Sequence, residues 1–526
     1  MLQRRRLWLV LILLAAFAFR VHTLGAKSLW YDELRQIEVA SHPLASFPTE
    51  LAKHSARPLD YWLTHYLLRA GPQEFWLRFP ALLWGTLSVA LMFPLARRWF
   101  DGRTALIAIA LMAAAPIGVQ YSQELRPYAL YLLFTLISFW GLERALRPHP
   151  PAPSPEVCTL SEAERSRRAT SGEEGREGEA GFWLLFALAS IGGALTHYFY
   201  AYLLTAQALF VAGLFLFLKL RWPQLAAFMM SALAGYAALF VAANPLMLTL
   251  FAENFLGALV QAPVSSLPVD TFAAGGADKI DQAFFVKGLL PAYGGGPGAA
   301  LVVFNVLAVT GLIALAFRDR RRLAISVLWL CLAPGLVILY LQYRQGFFAN
   351  RYVLFALPVY LLLIARSLAT LTRRLPFGGA LTLAALLILL AFDFNQLEAY
   401  YRQSKDDWRR VGTFLAANVR AGDAVAAPDV QFFIRFYAPT QPGSLVDAND
   451  LGPHREALDN AERFWFVWSD YTLVPIEETR QWVKQLPGIT FELDPKVKVI
   501  FVHPGLTRAE MEAEAAQFVI PPPSVR

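Results

Sequence analysis

The chain has 526 residues, of which 56% are hydrophobic and only 17% are charged. Soluble domains carry about 25% charged residues, so this balance excludes an ordinary soluble enzyme. The net charge of +7 does not indicate nucleic-acid binding, because in a membrane protein the position of the basic residues matters more than their sum. Cys158 and Cys331 are too few for a disulfide framework, and we expect both to be unpaired.

Long apolar segments recur along the chain, each of a length that can cross roughly 30 Å of hydrocarbon. The first, in MLQRRRLWLVLILLAAFAF, is followed by further apolar segments and by no small-residue cleavage site, so we interpret it as a retained helix. The sequence therefore predicts a polytopic α-helical membrane protein with about eleven transmembrane helices. The predicted spans are 7–24, 77–98, 103–119, 127–146, 182–196, 199–219, 223–245, 298–317, 323–341, 352–370 and 377–394.

Arginine and lysine cluster in short loops that all fall on one side of these spans. Such loops mark the cytoplasmic face, which also receives the N-terminus. The Pro-, Ser- and Glu-rich segment 147–181 lies on this side and is typical of a disordered loop. The basic residues concerned are Arg4, Arg5, Arg6, Arg97, Arg98, Arg103, Lys219, Arg221, Arg318, Arg320, Arg321, Arg322, Arg373 and Arg374.

The opposite, external side receives the longer loops and the C-terminal tail. The external loops are 25–76, 120–126, a turn near 197, 246–297 and 342–351. A loop as long as 246–297 is either a functional lid or disordered. The tail alternates helix-like segments (406–419, 475–486) with strand-like ones (423–428, 463–469, 496–503). We therefore expect a transmembrane domain of residues 1–395, followed by a small extracytoplasmic α/β domain at 396–526.

Two adjacent carboxylates, Asp32 and Glu33, follow the first span in SLWYDELRQIE. One interpretation is that Ser28 caps a helix and that the acidic residues complement its dipole. Alternatively, an amphipathic helix lying on the membrane surface holds one of them at the rim of a cavity. The narrow apolar face of that helix comprises Trp30, Leu34, Ile37 and Ser41.

The turn in VQYSQELRPYAL, residues 119–130, carries Glu124 and Arg126. These two side chains either pair with each other or, since Arg126 precedes a helix with free backbone amides, form an anion site. Other external candidates have simple explanations, because histidines at a membrane boundary are usually solvated or packed and arginines extend towards lipid phosphates. These candidates are His54, Arg57, Tyr61, His197, Tyr198, Arg344 and Arg351.

Several segments resemble the bacterial family 39-type glycosyltransferases, whose C-type membrane fold is shared with protein O-mannosyltransferases and lipid A aminoarabinose transferases. They include SLWYDE, RPLDYW, RFPALLWGTLSVALMFPLARRWF and YSQELRPYAL in the first four spans, and NRYVLFALPVYLLL and KDDWRRV later. The resemblance implies inverting transfer of a hexose or pentose from a polyprenyl-phosphate donor to a hydroxyl of a lipid, glycan or protein acceptor. It also implies a site on the external face of the bacterial cytoplasmic membrane and no nucleic-acid partner.

Residue roles follow from the same resemblance. Asp32 would be the general base, Glu33 would orient it and Glu124 would be a second acidic residue of the cavity. Arg126, Arg351 and Arg344 would bind the donor phosphate. His197, Tyr198, Arg57, Tyr61 and His54 would contact substrate. No cofactor is certain and a divalent metal is possible, since some relatives with this fold bind one.

The chain departs from these relatives at two places. Ala56-Arg57-Pro58-Leu59-Asp60-Tyr61 stands where relatives often have His-Pro-Pro-Leu-Tyr-Tyr, and Tyr128 stands where they often have Asp. Two other functions remain open: a lipid or glycan transporter or flippase, and a non-catalytic envelope assembly protein. Transporters place ionisable residues in mid-membrane and often contain paired halves, whereas the polar residues here concentrate in the external loops.

Overall fold

A computed structural model describes the following parts of the chain: residues 2–54, 57–146, 162–218, 220–243, 289–344, 348–373, 375–403, 406–446, 456, 458, 460–470, 481–482 and 484–524. The predicted lid 246–297 lies outside these residues except for its last part, 289–297. Cys158 and residues 147–161 of the predicted disordered loop also lie outside them.

Helices dominate the part of the chain that precedes residue 403. They are α1 (Leu2–Val21), α2 (Tyr31–Ser41), α3 (Phe47–Lys53), α4 (Pro58–Ala70), α5 (Glu74–Trp99), α6 (Gly102–Ala114), α7 (Pro116–Gln120), α8 (Tyr128–Ala145), α9 (Glu162–Thr196), α10 (Tyr200–Leu218), α11 (Trp222–Ala243), α12 (Leu290–Tyr293), α13 (Ala299–Ala316), α14 (Arg320–Val327), α15 (Ala333–Tyr343), α16 (Leu357–Leu371) and α17 (Gly378–Arg402). A π-helical turn, Leu328–Leu332, joins α14 to α15, and a 3₁₀ segment, Asn350–Ala356, precedes α16.

Eight helices of the described part are long and apolar enough to cross a membrane. They are Glu74–Trp99, Glu179–Thr196, Tyr200–Phe217, Trp222–Val241, Ala299–Ala316, Arg320–Tyr343, Asn350–Leu371 and Gly378–Arg402. The chain is therefore an integral membrane protein.

Three of the eleven predicted spans correspond to helices outside that set of eight. Helix α1 contains four arginines, helix α6 is only 13 residues long, and α8 ends in Glu143 and Arg144. Each of these features lowers the apolar length of the helix. The structure also differs from the sequence prediction at α9, which begins at Glu162, so residues 162–181 of the predicted loop are helical.

The membrane core forms around α16 and the 3₁₀ segment that precedes it. Every residue from Val353 to Ala365 is buried, which agrees with the nearly continuous apolar sequence there. Helices α5, α6 and α8 contribute to the same core. One of its contacts is between Phe139 and Trp329, whose rings stack with centroids 3.6 Å apart.

The tail folds into a five-stranded mixed sheet with strand order β2-β1-β3-β5-β4. Its strands are β1 (Ala424–Ala426), β2 (Ser444–Val446), β3 (Phe464–Ser469), β4 (Ile489–Asp494) and β5 (Val497–Val502), and its helices are α18 (Trp408–Asn418), α19 (Gln431–Tyr437) and α20 (Arg508–Ala515). Strand β1 pairs in parallel with β2 and β3, whereas β5 pairs antiparallel with β3 and β4.

Three of these strands, β1, β3 and β5, lie in the predicted strand segments, and α18 lies in the predicted helix 406–419. Strands β2 and β4 were not predicted. Most of the predicted helix 475–486 lies outside the described residues.

Helix α2 packs against this C-terminal domain and not only against the membrane part. Leu34 and Ile37 share a hydrophobic core with Trp408 and Phe433, and the Tyr31 hydroxyl donates to Asp429 Oδ2 at 2.7 Å. The apolar face of α2 that the sequence assigned to the membrane surface is thus largely covered by protein. This packing fixes the position of the carboxylates that α2 carries.

Candidate functional site

The two adjacent carboxylates of α2 occupy different environments, and Glu33 is the more deeply buried. Its side chain is fully buried and forms a bidentate ion pair with Arg78, at 2.6 and 2.8 Å. Glu33 also accepts the backbone N–H of Leu125 at 2.7 Å and that of Trp30 at 3.2 Å. Glu33 therefore satisfies a backbone N–H at the start of α2 and links α2 by hydrogen bonds to α5 and to the turn before α8.

Arg78 completes this anchor by donating to the carbonyl oxygens of Leu24, Lys27 and Ser28, at 2.8–3.1 Å. Ser28 does not cap α2, since the helix begins at Tyr31 with Trp30 as the capping residue. The Ser28 hydroxyl instead accepts the backbone N–H of Arg409 in the C-terminal domain, at 3.1 Å.

Asp32 lies at the edge of a small cluster of charged and aromatic side chains. Its carboxylate contacts one guanidinium, with Arg351 Nη2 at 3.2 Å from Asp32 Oδ2. The exposed fractions of the two side chains are 11% for Asp32 and 18% for Arg351. The Arg351 guanidinium also lies 5.6 to 5.7 Å from the ring centres of Trp30, Tyr128 and Tyr352.

Arg126 reaches the same cluster from the turn before α8. Its Nη1 donates to the backbone oxygen of Asp32 at 3.2 Å and to Gln36 Oε1 at 3.4 Å. The Gln36 amide nitrogen in turn donates to Asp60 Oδ2 at 2.5 Å and to Thr64 Oγ1 at 2.9 Å. Two cations and two carboxylates are thereby held together by α2, α4, the turn at Arg126 and the 3₁₀ segment at Arg351.

Asp60 is the member of this cluster that the sequence-based site prediction missed. It is buried, and burial raises the pKa of its carboxyl to about 6, although the Gln36 hydrogen bond and the charge of Arg126 oppose the rise. The only available signal was its place in RPLDYW, where an Asp on the first turn of a helix also fits a dipole interaction.

His197 lies at the turn between α9 and α10, packed between two tyrosine rings. The rings of Tyr131 and Tyr198 each stack on it at 4.9 Å, and its Nδ1 accepts the backbone N–H of Phe199 at 3.2 Å. Burial, with the charges of Arg57, Arg126 and Arg351, lowers the pKa of His197 to about 3. The imidazole is therefore neutral at physiological pH and is packed as part of the wall.

The other predicted substrate residues divide into two groups. The Tyr61 hydroxyl interacts with Arg126, and the Arg57 guanidinium lies 5.5 Å from the Tyr198 ring centre, so both belong to the neighbourhood of the cluster. His54 is exposed, and the charged groups that act on it include Arg35, Glu38, Glu50 and Asp429, which are not members of the cluster.

The described contacts of Arg344 and Glu124 are with neighbours in their own segments. Arg344 follows α15, where its backbone N–H continues the helix by donating to Tyr340 O at 2.9 Å. Within the described residues no ion pair joins it to the cluster. Glu124 is buried and accepts the Gln120 side-chain amide at 3.4 Å. Its pairing with Arg126 stays a prediction.

The arrangement suits binding of an anion next to a general base. A phosphate placed against Arg126 and Arg351 would be bound by fixed cations. Asp32 would then lie beside the phosphate with a carboxylate oxygen available. In the described parts of the chain, no group of three or more His, Cys, Asp or Glu side chains is placed to hold a metal ion.

Comparison with solved structures supplies the fold. ArnT from Cupriavidus metallidurans in the apo state superposes with a TM-score of 0.59 at 13% identity, covering 94% of this chain and 97% of ArnT. The same protein bound to undecaprenyl phosphate gives a TM-score of 0.57 at 13% identity, with coverage of 94% and 98%. The apo oligosaccharyltransferase of Archaeoglobus fulgidus gives 0.53 at 13% identity, with coverage of 88% and 69%.

The chain has the C-type membrane glycosyltransferase fold. A sequence family described as dolichyl-phosphate-mannose-protein mannosyltransferase also matches residues 53–151, a segment that includes Asp60 and Arg126. Comparison with curated proteins gives no match. The C-type fold predicted from the resemblance is thus confirmed, while the roles of individual residues remain predictions.

Proposed function

We propose that this protein is a membrane glycosyltransferase that moves a sugar from a polyprenyl-phosphate donor to an acceptor hydroxyl. The observation that carries the proposal is the contact of Asp32 with Arg351, with Arg126 hydrogen-bonded to the Asp32 backbone. Similar structures include ArnT determined with undecaprenyl phosphate bound, which supports a lipid-phosphate donor, and an oligosaccharyltransferase, which supports glycosyl transfer.

The reaction needs a group that stabilises the leaving phosphate and a general base, and this cluster has residues for both. As the acceptor oxygen bonds to the anomeric carbon, the bond from that carbon to the phosphate oxygen breaks and the lipid phosphate leaves with the bonding electrons. In this proposal, Arg126 and Arg351 stabilise the charge that develops on this phosphate. Asp32 takes the acceptor proton as general base.

The ion pair between Asp32 and Arg351 has a role before the donor binds. It gives Asp32 a counter-charge and holds Arg351 near the aromatic rings of Trp30, Tyr128 and Tyr352. A donor phosphate competes with Asp32 for Arg351, so donor binding would free the carboxylate to accept a proton. The base thus becomes available when the leaving group is in place.

The site is proposed to face the extracytoplasmic side of the bacterial cytoplasmic membrane. The basic loops of the sequence lie at the other ends of the spans, and nucleotide sugars are absent from the external side, so a sugar used there must arrive on a lipid. The C-terminal domain, which packs on α2, would lie on the same side as the site.

The test is a transfer assay with the full-length protein in nanodiscs. Undecaprenyl-phosphate sugars carrying a radiolabel are incubated with envelopes of cells that lack the gene, and label in lipid, glycan and protein fractions is measured. Wild-type protein should transfer label, and Asp32→Asn should lower the rate by about 10²- to 10⁴-fold. The matched control is Asp319→Asn, an Asp that caps α14 at a predicted cytoplasmic loop, where Asn caps equally well.

Two outcomes would contradict the proposal. Transfer by folded Asp32→Asn at the wild-type rate would remove Asp32 as the base. An absence of transfer by wild type from every labelled donor, together with movement of those donors across the bilayer of proteoliposomes, would favour a flippase.

A further inference from the structure

A second polar feature lies next to the cluster, in a cavity of about 180 Å³ between α7, α12, the 3₁₀ segment and the outer end of α17. Its polar lining consists of four primary amides and two tyrosines, and its other lining residues are prolines, alanines and one isoleucine. In the described part of the chain, none of the lining residues is charged. The polar lining residues are Gln120, Tyr121, Asn350, Gln396, Tyr400 and Gln403.

The wall that carries Gln396 is held by contacts with a glycine-rich turn. The backbone N–H of Gly295 donates to the buried Asp393 Oδ1 at 2.9 Å, one helical turn before Gln396. Gly296 has φ of +84°, and a Cβ there would collide with the Gln396 side chain. A glycine is therefore required for this turn to lie against the Gln396 amide.

The opposite wall carries Gln120, which is oriented by Glu124. The Gln120 amide nitrogen donates to Glu124 Oε1 at 3.4 Å, which leaves the Gln120 carbonyl oxygen to be an acceptor for a ligand. This contact gives Glu124 a positioning role in the cavity wall.

The cavity and the charged cluster share a wall. Tyr121 lines the cavity and its hydroxyl interacts with the Arg351 guanidinium. Asn350, on the same wall, immediately precedes Arg351. A phosphate bound to Arg351 would therefore lie beside the cavity, with Asp32 at the same guanidinium.

The chemistry of the cavity fits a sugar without charge. Each primary amide offers donors and acceptors together, which is what the hydroxyls of a sugar require. A charged sugar would be stripped of water in this cavity without an opposite charge in its lining, and that desolvation is costly. The volume of about 180 Å³ is enough for several water molecules and suits one sugar ring.

We propose that this cavity binds the sugar of the lipid-linked donor and selects a single uncharged monosaccharide. This inference rests on the function proposed above, because it requires the phosphate of that donor to bind at Arg351. It assigns Gln120, Gln396 and Asn350 to sugar recognition.

The experiment compares the binding of four probes to the full-length protein in nanodiscs. The first probe is bare undecaprenyl phosphate, which carries no sugar. The second and third are its glucose and mannose derivatives, which carry uncharged hexoses. The fourth is its 4-aminoarabinose derivative, which carries a cationic sugar. Wild type should bind at least one of the two hexose donors about ten-fold more tightly than the bare phosphate, as expected for two or three added hydrogen bonds.

Variants test whether the gain in affinity from the sugar arises in this cavity. The double variant Gln120→Ala/Gln396→Ala should reduce the ten-fold gain to less than about two-fold and leave the affinity for bare undecaprenyl phosphate unchanged. Gln396→Glu should favour the aminoarabinose donor, because it adds a negative charge to the lining. Gln342→Ala, at an exposed position on α15, is the matched control and should change neither affinity.

The outcomes separate this inference from the proposed function. If bare phosphate binds and transfer occurs, but neither uncharged sugar adds affinity or the gain survives the double variant, the sugar pocket is wrong and the transferase proposal stands. If wild type prefers the aminoarabinose donor, the selection of an uncharged sugar is wrong. If no probe binds and no transfer occurs, the proposed function fails and this inference fails with it.

Discussion

Helix α2 carries the carboxylates of two arginine–carboxylate pairs, and the two pairs differ in how many of their hydrogen-bonding positions are occupied. Glu33 and Arg78 form a closed pair, in which the carboxylate receives two guanidinium and two backbone hydrogen bonds. Asp32 and Arg351 form an open pair with one guanidinium contact at 3.2 Å, at the edge of the charged cluster. Adjacent residues in one helix thus carry a structural and a candidate catalytic carboxylate.

The difference indicates which pair can bind a substrate. A closed pair has no group left for a ligand, and its disruption leaves a buried charge. An open pair can exchange one partner for an anion of the substrate, because its carboxylate and guanidinium each retain unused bonding positions. If this distinction holds, substitution of the closed pair should have the largest effect on stability.

The closed pair should be essential for folding. Glu33→Gln leaves the buried Arg78 without a counter-charge, and loss of one partner of a buried pair costs about 3–5 kcal/mol. We expect a large fall in the thermal midpoint and in the yield of detergent-solubilised protein. Asp32→Asn, on the open pair one residue away, should fold with a midpoint much closer to that of wild type.

A comparison of these two variants by thermal unfolding in one detergent is sufficient. Equal midpoints for Glu33→Gln and Asp32→Asn would contradict the assignment of Glu33 to the anchor.

Asp60, at the far side of the open cluster, should make stability depend on pH. Its pKa in the fold is about 6, above its ordinary value, so folding favours the protonated form. The stabilisation is complete below about pH 4 and is lost as the pH rises through 6, by roughly 3 kcal/mol in total. Relative to Asp60→Asn, the wild-type thermal midpoint should therefore fall between pH 4 and pH 6 and then remain constant.

His197 gives this experiment an internal reference of opposite sign. The pKa of His197 in the fold is about 3, below its ordinary value, so its contribution to stability is present above about pH 6.5 and is lost as the pH falls. His197→Gln should remove that acid loss and leave the Asp60 effect in place. Parallel curves for wild type and Asp60→Asn between pH 4 and 6 would show that Asp60 is not buried as described.

The open pair should contribute to donor affinity. Arg351→Gln removes a charged hydrogen-bond donor, a loss of about 1.5–3 kcal/mol, and should weaken binding of undecaprenyl phosphate by about 10- to 100-fold. Arg344→Gln is the matched control, because Arg344 lies outside the cluster and should change the Kd by less than about three-fold. Equal losses for the two variants would place the phosphate elsewhere.

The sequence was sufficient to predict the membrane class, because apolar length and basic-loop position are encoded locally. Topology placed Asp32, Arg126 and Arg351 on one face together with other polar residues, and only the family resemblance gave these three a common role. The residues alone do not separate Asp32 from Glu33, to which only the family resemblance gives different roles. That separation depends on Arg78, which is 45 residues away in sequence and looks like an ordinary helix residue in α5. Asp60 was overlooked for the same reason, since its connection to Arg126 runs through Gln36 of another helix.

The sequence does not distinguish the members of this cluster from other external polar residues. His54, Arg344 and Glu124 are external polar residues like Arg126, but only tertiary packing decides which of them face one another. The amide-lined cavity gave no signal at all, because its glutamines come from α7 and α17, which are distant in sequence.

The smallest expected effect concerns an ion pair that is neither closed nor part of the cluster. Glu398 and Arg402 pair across one turn of α17 with side chains that are 60% and 76% exposed. Solvent screens such a pair, so Glu398→Gln should change the free energy of unfolding by no more than about 0.5 kcal/mol. The same Glu→Gln substitution should therefore have its largest effect on stability at Glu33 and its smallest at Glu398. If the thermal midpoint for Glu398→Gln is as low as that for Glu33→Gln, then neither the burial of the carboxylate nor the number of its hydrogen bonds determines the loss of stability.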